Sequence, residues 1–183
     1  MQDRETDSYW PIMRGESLHG ELKGTRLTEL AVNDKTTWAE WRELHPDTLV
    51  LSVNGVEDKE NMYSNYFEST AGFRDQAAED TRADTKSPVF AFRLEDQPYA
   101  VRHENLIGGR HFELGGNNVY LFRSANDQLM DATVSIITPA NVPCEFDSSI
   151  NAYAGSECDQ KLSGFDTFWY NWSLNNPETE LME

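Results

Sequence analysis

The sequence contains two related stretches, TTWAEWRELHPDTLVL at residues 36–51 and TFWYNWSLNNPETELM at residues 167–182. They align at one constant offset (167 − 36 = 131), which brings two tryptophans, one proline and two threonines into register. Tryptophan and proline are rare residues, so matches of this kind indicate an internal duplication. We call residues 36–51 the first Trp unit and residues 167–182 the second Trp unit.

Each Trp unit predicts a short helix with two indoles on one face. Trp38 and Trp41 are three residues apart, as are Trp169 and Trp172, and helical residues at this spacing are neighbours. Pro46 ends the first helix, because the residue before a proline disfavours the α conformation. Such a large apolar face must pack against a sheet. We therefore expect all four tryptophans to form core rather than to stack on ligands.

The rest of the chain predicts antiparallel strands. Turn residues between apolar runs indicate hairpins, and a strand is expected after the first helix at 48–53, closed by Asn54-Gly55. The expected hairpins lie at 17–32, 89–102 and 111–123, and a further strand is expected at 131–138. A helical turn is expected at 103–107 and a loop at 139–164. The chain is expected to end in a helix and a short strand over 166–182. The predicted fold class is α+β, an antiparallel β-rich single domain with two short Trp-bearing helices in a helix–Pro–strand internal repeat.

The length of 183 residues fits one domain. We divide it into a first repeat unit at about 3–53, a charged loop at 56–87, and a β-rich block with the second repeat unit at about 88–182. Residues 74–87 are expected to form a solvated loop. The aromatic run at 62–67 is expected to pin this region onto the body of the protein.

The charge of the chain excludes some partners. There are 32 acidic and 15 basic residues, for a net charge of −17. Nucleic-acid binding and attachment to anionic membranes both need clustered lysines and arginines, so we expect neither. No window of about 20 apolar residues exists, so no transmembrane segment is predicted. A small-molecule or protein partner is left open.

The most site-like cluster in the sequence comprises Asp3, Arg4, Trp10, His45 and Asp47. An Asp–Arg pair beside a histidine could bind a small anion or orient a titratable imidazole. The favoured structural alternative is an Asp3–Arg4 ion pair, with His45 and Asp47 capping the turn around the proline. Asn176 stands at the position of His45 in the second Trp unit, so the turn does not need an imidazole.

No catalytic residue is predicted, and no cofactor follows from the sequence. His103 and His111, with Glu104 and Glu113, are weak metal-ligand candidates, because their spacing matches no metal motif. We therefore predict no metal site. The glycine pairs lack the strand–GxGxxG–helix context of a phosphate-binding loop.

Two cysteines, Cys144 and Cys158, lie in the predicted loop at 139–164. They are expected to form a disulfide if the protein is exported, and to be free thiols if it is cytosolic.

Three stretches carry a family resemblance: DRETDSYWPIMRGESLHGELKGTRLTEL at 3–30, TWAEWRELHPDTLVLS at 37–52 and FDTFWYNWSLNNPETEL at 165–181. They resemble a bacterial domain-of-unknown-function family whose fuller members carry DRxTxSxWxQ, GxLxGxxL and TWxEWxxxHPDTxVLS. Those members usually carry an upstream TYCPLCGTG-type motif and often an export signal. The resemblance implies that this chain corresponds to the C-terminal part of a larger member, with Met1 an internal methionine.

Three functions follow as hypotheses. The first is an extracytoplasmic-type binding or structural module without activity of its own. The second is a redox- or metal-dependent enzyme whose cysteine motif lies in an upstream segment, and the third is a binder of small hydrophobic ligands through exposed indoles. The resemblance implies a periplasmic or secreted location, although residues 1–7 show no apolar signal-peptide core. Whether the protein is an enzyme is left open.

Overall fold

The computed structural model describes residues 1–28, 38–50, 63–125, 134–139, 145–147, 152–153 and 160–183. Cys144 and Cys158 lie outside these residues, so their pairing stays a prediction. The Asn54-Gly55 turn also lies outside them. None of the described helices has the length and apolarity needed to span a bilayer.

The described chain has the predicted α+β architecture, with short helices against antiparallel and mixed sheets. The two 3₁₀ turns are Phe73–Asp75 and His103–Leu106. The helices are α1 (Trp38–Leu44), α2 (Ser64–Glu68) and α3 (Trp169–Ser173). The strands are β1 (Gln2–Asp3), β2 (Ser8–Tyr9), β3 (Pro88–Leu94), β4 (Gln97–Arg102), β5 (Arg110–Leu114), β6 (Asn117–Phe122), β7 (Val134–Pro139), β8 (Phe146–Asp147), β9 (Ala152–Tyr153), β10 (Gln160–Lys161), β11 (Gly164–Phe168) and β12 (Glu180–Met182).

Two four-stranded sheets organise the core. In the first sheet the order is β11-β3-β4-β12, and β12 runs parallel to β4 while the other pairs are antiparallel. In the second sheet the order is β10-β7-β6-β5, with every pair antiparallel. The predicted hairpins β3–β4 and β5–β6 and the helical turn at His103 are confirmed.

The β3–β4 hairpin is buried on both faces. Alternate side chains of a strand point to opposite faces, so Phe90 and Phe92 belong to one apolar cluster while Val89 and Ala91 belong to another. The first cluster also contains Val119 of β6, and it joins the two sheets. This two-sided burial explains why PVFAFRL reads as an almost continuous apolar run.

The second cluster forms where α3 lies on the first sheet. Trp169 and Trp172 have no exposed surface, and they pack with Val89, Ala91 and Ala100. The two alanines leave room for the indoles close to the sheet. Burying about 150–250 Å² of each aromatic ring is worth roughly 4–6 kcal/mol at 25 cal/mol per Å². The core-forming prediction is confirmed for this pair.

The two Trp units share one local backbone turn. In each unit a helix starts at the first tryptophan, and two backbone hydrogen bonds close the turn around the proline. These bonds are His45 N–H to Trp41 O (2.8 Å) and Thr48 N–H to His45 O (3.1 Å) in the first unit, and Asn176 N–H to Trp172 O (3.0 Å) and Thr179 N–H to Asn176 O (3.0 Å) in the second. The offset of 131 relates each pair, so the duplication extends to the local conformation.

The surroundings of the two units differ. The side chain of Trp38 is 51% exposed, and Trp41 is only partly buried. The prediction that these two indoles form core is therefore wrong for Trp38 and only partly met for Trp41. Thr48–Val50 is not a strand either, and Leu49 is almost fully exposed. In the second unit the equivalent indole face is covered by the β3–β4 hairpin.

Other sequence predictions need correction. The predicted hairpin at 17–32 is, in the described part of that segment, an irregular turn without regular strands. It is closed by the bridge between Glu16 and Arg26 and by backbone hydrogen bonds such as that from the N–H of Ser17 to the carbonyl of Thr25 (3.0 Å). Strand β11 was expected to be loop and helix. Strand β11 has only five residues, starts at a glycine and runs directly into α3. A strand pattern of this length is too short to be recognised in the sequence.

The charged segment at 74–87 is also held more firmly than expected. The carbonyl oxygen of Asp80 accepts a hydrogen bond from the indole N–H of Trp169 (2.8 Å), and Arg82 Nη1 donates to the carbonyl of Thr179 (2.9 Å). These contacts tie the segment to the second Trp unit. Within the aromatic run, the hydroxyls of Tyr66 and Tyr170 lie 3.0 Å apart, in agreement with the predicted pinning.

Candidate functional site

A cavity of about 980 Å³ opens between α2, the 3₁₀ turn at His103 and the end of β6. Its buried lining residues, which we call the floor, are His103, Arg123 and Phe168. Its exposed lining residues, which we call the rim, include two apolar and three acidic side chains. These are Phe67, Ile107, Glu68, Asp84 and Glu104.

Three elements that are distant in the sequence bring the floor together. His103 begins the 3₁₀ turn directly after β4, and Arg123 follows the last residue of β6. The backbone joins the two, because the N–H of Arg123 donates to the carbonyl of Leu106 (3.0 Å) and that of Gly108 donates to the carbonyl of Arg123 (3.2 Å). Asp166 reaches the same place from the middle of β11.

Two floor residues, His103 and Arg123, share a buried carboxylate, Asp166, which is not itself a lining residue of the cavity. We call these three residues the His–Asp–Arg cluster. Asp166 Oδ1 lies 2.8 Å from His103 Nε2 and 3.5 Å from Arg123 Nη1. All three side chains are more than nine-tenths buried. The imidazole Nε2 is sealed from solvent and makes no well-aligned hydrogen bond. Buried charges are costly unless they are paired, and here one carboxylate serves two partners.

Lys86 lines the same cavity but has a structural role. Its ammonium donates to the carbonyl oxygens of Tyr66 and Ser69, the second at 2.6 Å. It also lies over the rings of Tyr66 (4.3 Å) and Phe168 (5.0 Å), in cation–π geometry. This lysine therefore fastens α2 to the body of the protein, and its three donors are largely committed.

The sequence cluster at the N-terminus is built differently from the prediction. Asp3 is not ion-paired with Arg4 within the described residues. Its carboxylate instead accepts hydrogen bonds from the Thr6 hydroxyl (2.5 Å) and from the backbone N–H of Glu5 (3.0 Å). These bonds, that from the Thr6 hydroxyl above all, lower the pKa of Asp3. The backbone groups of Trp10 and Met1 form hydrogen bonds with each other in both directions.

His45 and Asp47 lie at the end of the first Trp unit. The His45 ring packs on the Trp41 indole, with 4.2 Å between ring centroids, and Asp47 is exposed. In the described chain, no hydrogen bond, ion pair or ring contact joins these two residues to Asp3, Arg4 or Trp10. The anion site predicted from these five residues stays a prediction.

His103 and His111, the weak metal-ligand candidates, lie in different environments. His103 is buried in the floor, whereas His111 is exposed on β5 and packs against Tyr120 at 4.7 Å between centroids. The described segments contain no group of three or more His, Cys, Asp or Glu side chains spaced to hold a metal ion. The hypothesis of a redox- or metal-dependent enzyme depends on a cysteine motif in an upstream segment, and it stays a prediction.

Arg123 and Asp166 are the functional candidates that sequence reasoning missed. Arg123 follows a strand and looks like a solvated end residue, and Asp166 falls where a helix was expected. One signal was available. Asp166 is a charge inside a run of apolar and aromatic residues, and a buried charge in such a run needs a partner.

The fold and the site define an α+β domain with a buried His–Asp–Arg cluster at the floor of an open cavity. The family model described as "Protein of unknown function (DUF3179)" matches residues 1–179, and the chain belongs to this family. That match spans the first Trp unit, the cavity and nearly all of the second Trp unit. No curated protein and no protein of known structure matches the chain.

Proposed function

We propose that the protein is a binding module that holds a small organic anion in the cavity above the His–Asp–Arg cluster. The observation that carries this proposal is that two floor residues of an open cavity, His103 and Arg123, are buried and ionisable and share the buried carboxylate of Asp166. Ionisable groups in such a setting are candidates for function, because a packed apolar cluster would cost less to bury.

The chemistry of the floor favours an anionic group. Arg123 presents a planar guanidinium with five donors, and His103 adds a cationic donor when it is protonated. A guanidinium binds a carboxylate or phosphate through paired N–H donors, so an anionic group suits the position of Arg123 in the floor. Phe168 supplies an apolar wall beside these groups.

The chemistry of the rim describes the rest of the ligand. The carboxylates of Glu68, Asp84 and Glu104 are hydrogen-bond acceptors by their chemistry, and Phe67 and Ile107 offer apolar contact. A ligand with its anion on the floor and an amine, hydroxyl or apolar group at the rim matches this arrangement. The volume of about 980 Å³ is in the range of small-molecule sites.

The test is a thermal-shift screen followed by calorimetry, with a panel of carboxylates, amino acids and phosphate esters. We expect at least one class to raise the melting temperature. A ligand at 100 times its Kd stabilises by about 2.7 kcal/mol, and each kcal/mol shifts a domain of this size by roughly 2–4 °C. Ile107→Trp fills the mouth of the cavity and is expected to abolish the shift.

The matched control is Ile12→Trp, because Ile12 is also more than half exposed but does not line the cavity. It should bind like the wild type. His103→Asn should weaken binding of the same ligand at least tenfold while the protein still unfolds cooperatively. The proposal is rejected if no anion in the panel binds, or if binding is equally strong in the Ile107→Trp protein.

A further inference from the structure

The second Trp unit holds the β3–β4 hairpin between a helix and a strand. On the face of the hairpin, Trp169 and Trp172 pack against small or branched apolar side chains. At the edge of the hairpin, β12 pairs in parallel with β4, with Leu181 opposite Ala100. The turn at Pro177 connects the helix on the face to the strand on the edge. We call this arrangement the hairpin clamp.

The first Trp unit has the parts of the same clamp but holds no hairpin among the described residues. Its turn has the same two backbone hydrogen bonds. Trp38, the counterpart of Trp169, is 51% exposed. Val50, the counterpart of Leu181 (181 − 50 = 131), is 66% exposed, whereas Leu181 packs against the indole cluster. Two apolar residues that are covered in one unit are open in the other.

We propose that the first Trp unit is a docking surface for an antiparallel β-hairpin of another polypeptide. The partner presents small apolar side chains on one face, as Ala91 and Ala100 do in β3–β4. It also presents a free edge strand, to which the segment after Pro46 adds in parallel. Main-chain hydrogen bonds at the edge strand give affinity. The indole face makes the site specific for partners with small apolar side chains.

The available hairpins of a second copy fit this surface poorly. Both edges of β3–β4 are already paired, with β11 on one side and β12 on the other. Strand β5 is an edge strand, but His111 and Glu113 are exposed on the outward face of that strand. An imidazole and a carboxylate do not match an indole surface as alanines do. The short hairpins β1–β2 and β8–β9 contain no facing pair of small apolar residues. Because none of the described hairpins of a second copy matches the surface, the occupant that we propose is a different polypeptide.

The experiment uses the intact protein and a defined probe, a cyclised, fluorescein-labelled peptide of residues 86–104, which carries the β3–β4 sequence. Cyclisation is needed because an isolated hairpin is marginally stable in water. We expect saturable binding with a stoichiometry of one, accompanied by a blue shift of tryptophan emission. A control peptide with Ala91→Lys and Ala100→Lys carries charge on the docking face and should bind at least tenfold more weakly.

Protein variants assign the binding site. Trp38→Ala and Val50→Lys change exposed side chains, so they should fold normally and bind the peptide at least tenfold more weakly. Phe73→Ala removes an aromatic ring of similar exposure elsewhere and should bind like the wild type. The proposal is overturned if the peptide does not bind, or if it binds to the Trp38→Ala and Val50→Lys proteins as tightly as to the wild type. Concentration-dependent dimerisation that these two substitutions abolish would also overturn it, in favour of a second copy.

Discussion

At the scale of single residues, Asp80 and Arg82 show how an acidic loop is held against a buried indole. Arg82 Nη2 lies 2.6 Å from Asp80 Oδ2, and its guanidinium also lies over the Trp169 ring at 5.4 Å. The hydrogen bond from Arg82 lowers the pKa of Asp80. Both side chains are partly exposed, so the pair is worth at most about 1 kcal/mol.

This lowered pKa gives a pH dependence of known sign. A carboxyl whose folded pKa lies below its unfolded value of about 3.9 stabilises the fold above that value, and the contribution is lost as the pH falls through the folded pKa. We expect Asp80→Asn to lower the free energy of unfolding by up to about 1 kcal/mol at pH 7. Urea titrations between pH 7 and pH 2 should show the difference from wild type shrinking below about pH 4. A difference that stays constant down to pH 2 would contradict the account.

Tyr66 has a raised pKa, in contrast to the lowered pKa of Asp80, so its effect on stability changes at high pH. Burial raises the pKa of Tyr66, with a further contribution from the hydrogen bond to the Tyr170 hydroxyl. The folded protein then holds the proton more tightly than the unfolded chain. Stability is therefore complete below the unfolded pKa of about 10 and falls as the pH rises above it.

We expect Tyr66→Phe to reduce this alkaline loss of stability, because the variant has no hydroxyl to ionise at that position. Thermal unfolding between pH 8 and pH 11.5 measures the effect. The control is Tyr63→Phe, which removes a hydroxyl from an exposed ring in the same segment. Equal alkaline profiles for wild type and Tyr66→Phe would refute the assignment.

At the scale of elements, the DRETDS turn between β1 and β2 is a closed network of side chains. Asp3 accepts from the Thr6 hydroxyl, and the Thr6 and Ser8 hydroxyls lie 2.7 Å apart. Ser8 is fully buried and accepts a hydrogen bond from the backbone N–H of Leu22 (3.0 Å). The residues that carry the family resemblance at this point hold a turn together.

Gly20 closes this turn against the next one. Its φ of +92° and a Cβ that would lie 2.2 Å from the carbonyl oxygen of Asp7 both require glycine. Gly24 has a similar φ of +86° but open space around its Cα. Alanine at either position carries the left-handed backbone cost of roughly 1–2 kcal/mol. At Gly20 it adds a steric clash of typically 1–3 kcal/mol.

We therefore expect Gly20→Ala to lose clearly more stability than Gly24→Ala, by about 1–3 kcal/mol. The measurement is equilibrium unfolding in urea for both variants under one condition. Equal losses would mean that the close approach of Gly20 to Asp7 does not exist in solution.

Sequence patterns predicted elements well where the signals are local. The β5–β6 hairpin follows from its Gly115-Gly116 turn, and the β3–β4 hairpin from two apolar runs that flank the polar residues Glu95-Asp96. Strand β11 was missed because its pairing with β3, more than seventy residues earlier, is what makes it a strand. Such non-local pairing leaves only a weak trace in five residues.

At the scale of the whole molecule, the duplicated sequence has two different environments. A repeat predicts a shared local conformation, and the two turns share their hydrogen bonds. It does not predict packing, because packing depends on which unit the hairpin covers. The His–Asp–Arg cluster was beyond prediction for a related reason: its members come from a turn, a strand end and a strand centre that only the assembled sheets bring together.

The two Trp units differ most in the burial of their first tryptophan, and one pair of equivalent substitutions measures this difference. Trp169 and Trp38 occupy the same position in the duplication, but the first is fully buried and the second is half exposed. Trp169→Ala should lower the free energy of unfolding by about 3–5 kcal/mol. Trp38→Ala should change it by about 0.5 kcal/mol, as exposed positions usually do.

If Trp169→Ala does not fold, Trp169→Phe and Trp38→Phe give the same comparison with smaller losses. The measurement is equilibrium urea unfolding of the variants beside the wild type. We expect a large loss of stability for the substitution in the second unit and a small loss for that in the first. Equal losses at the two positions would contradict this expectation.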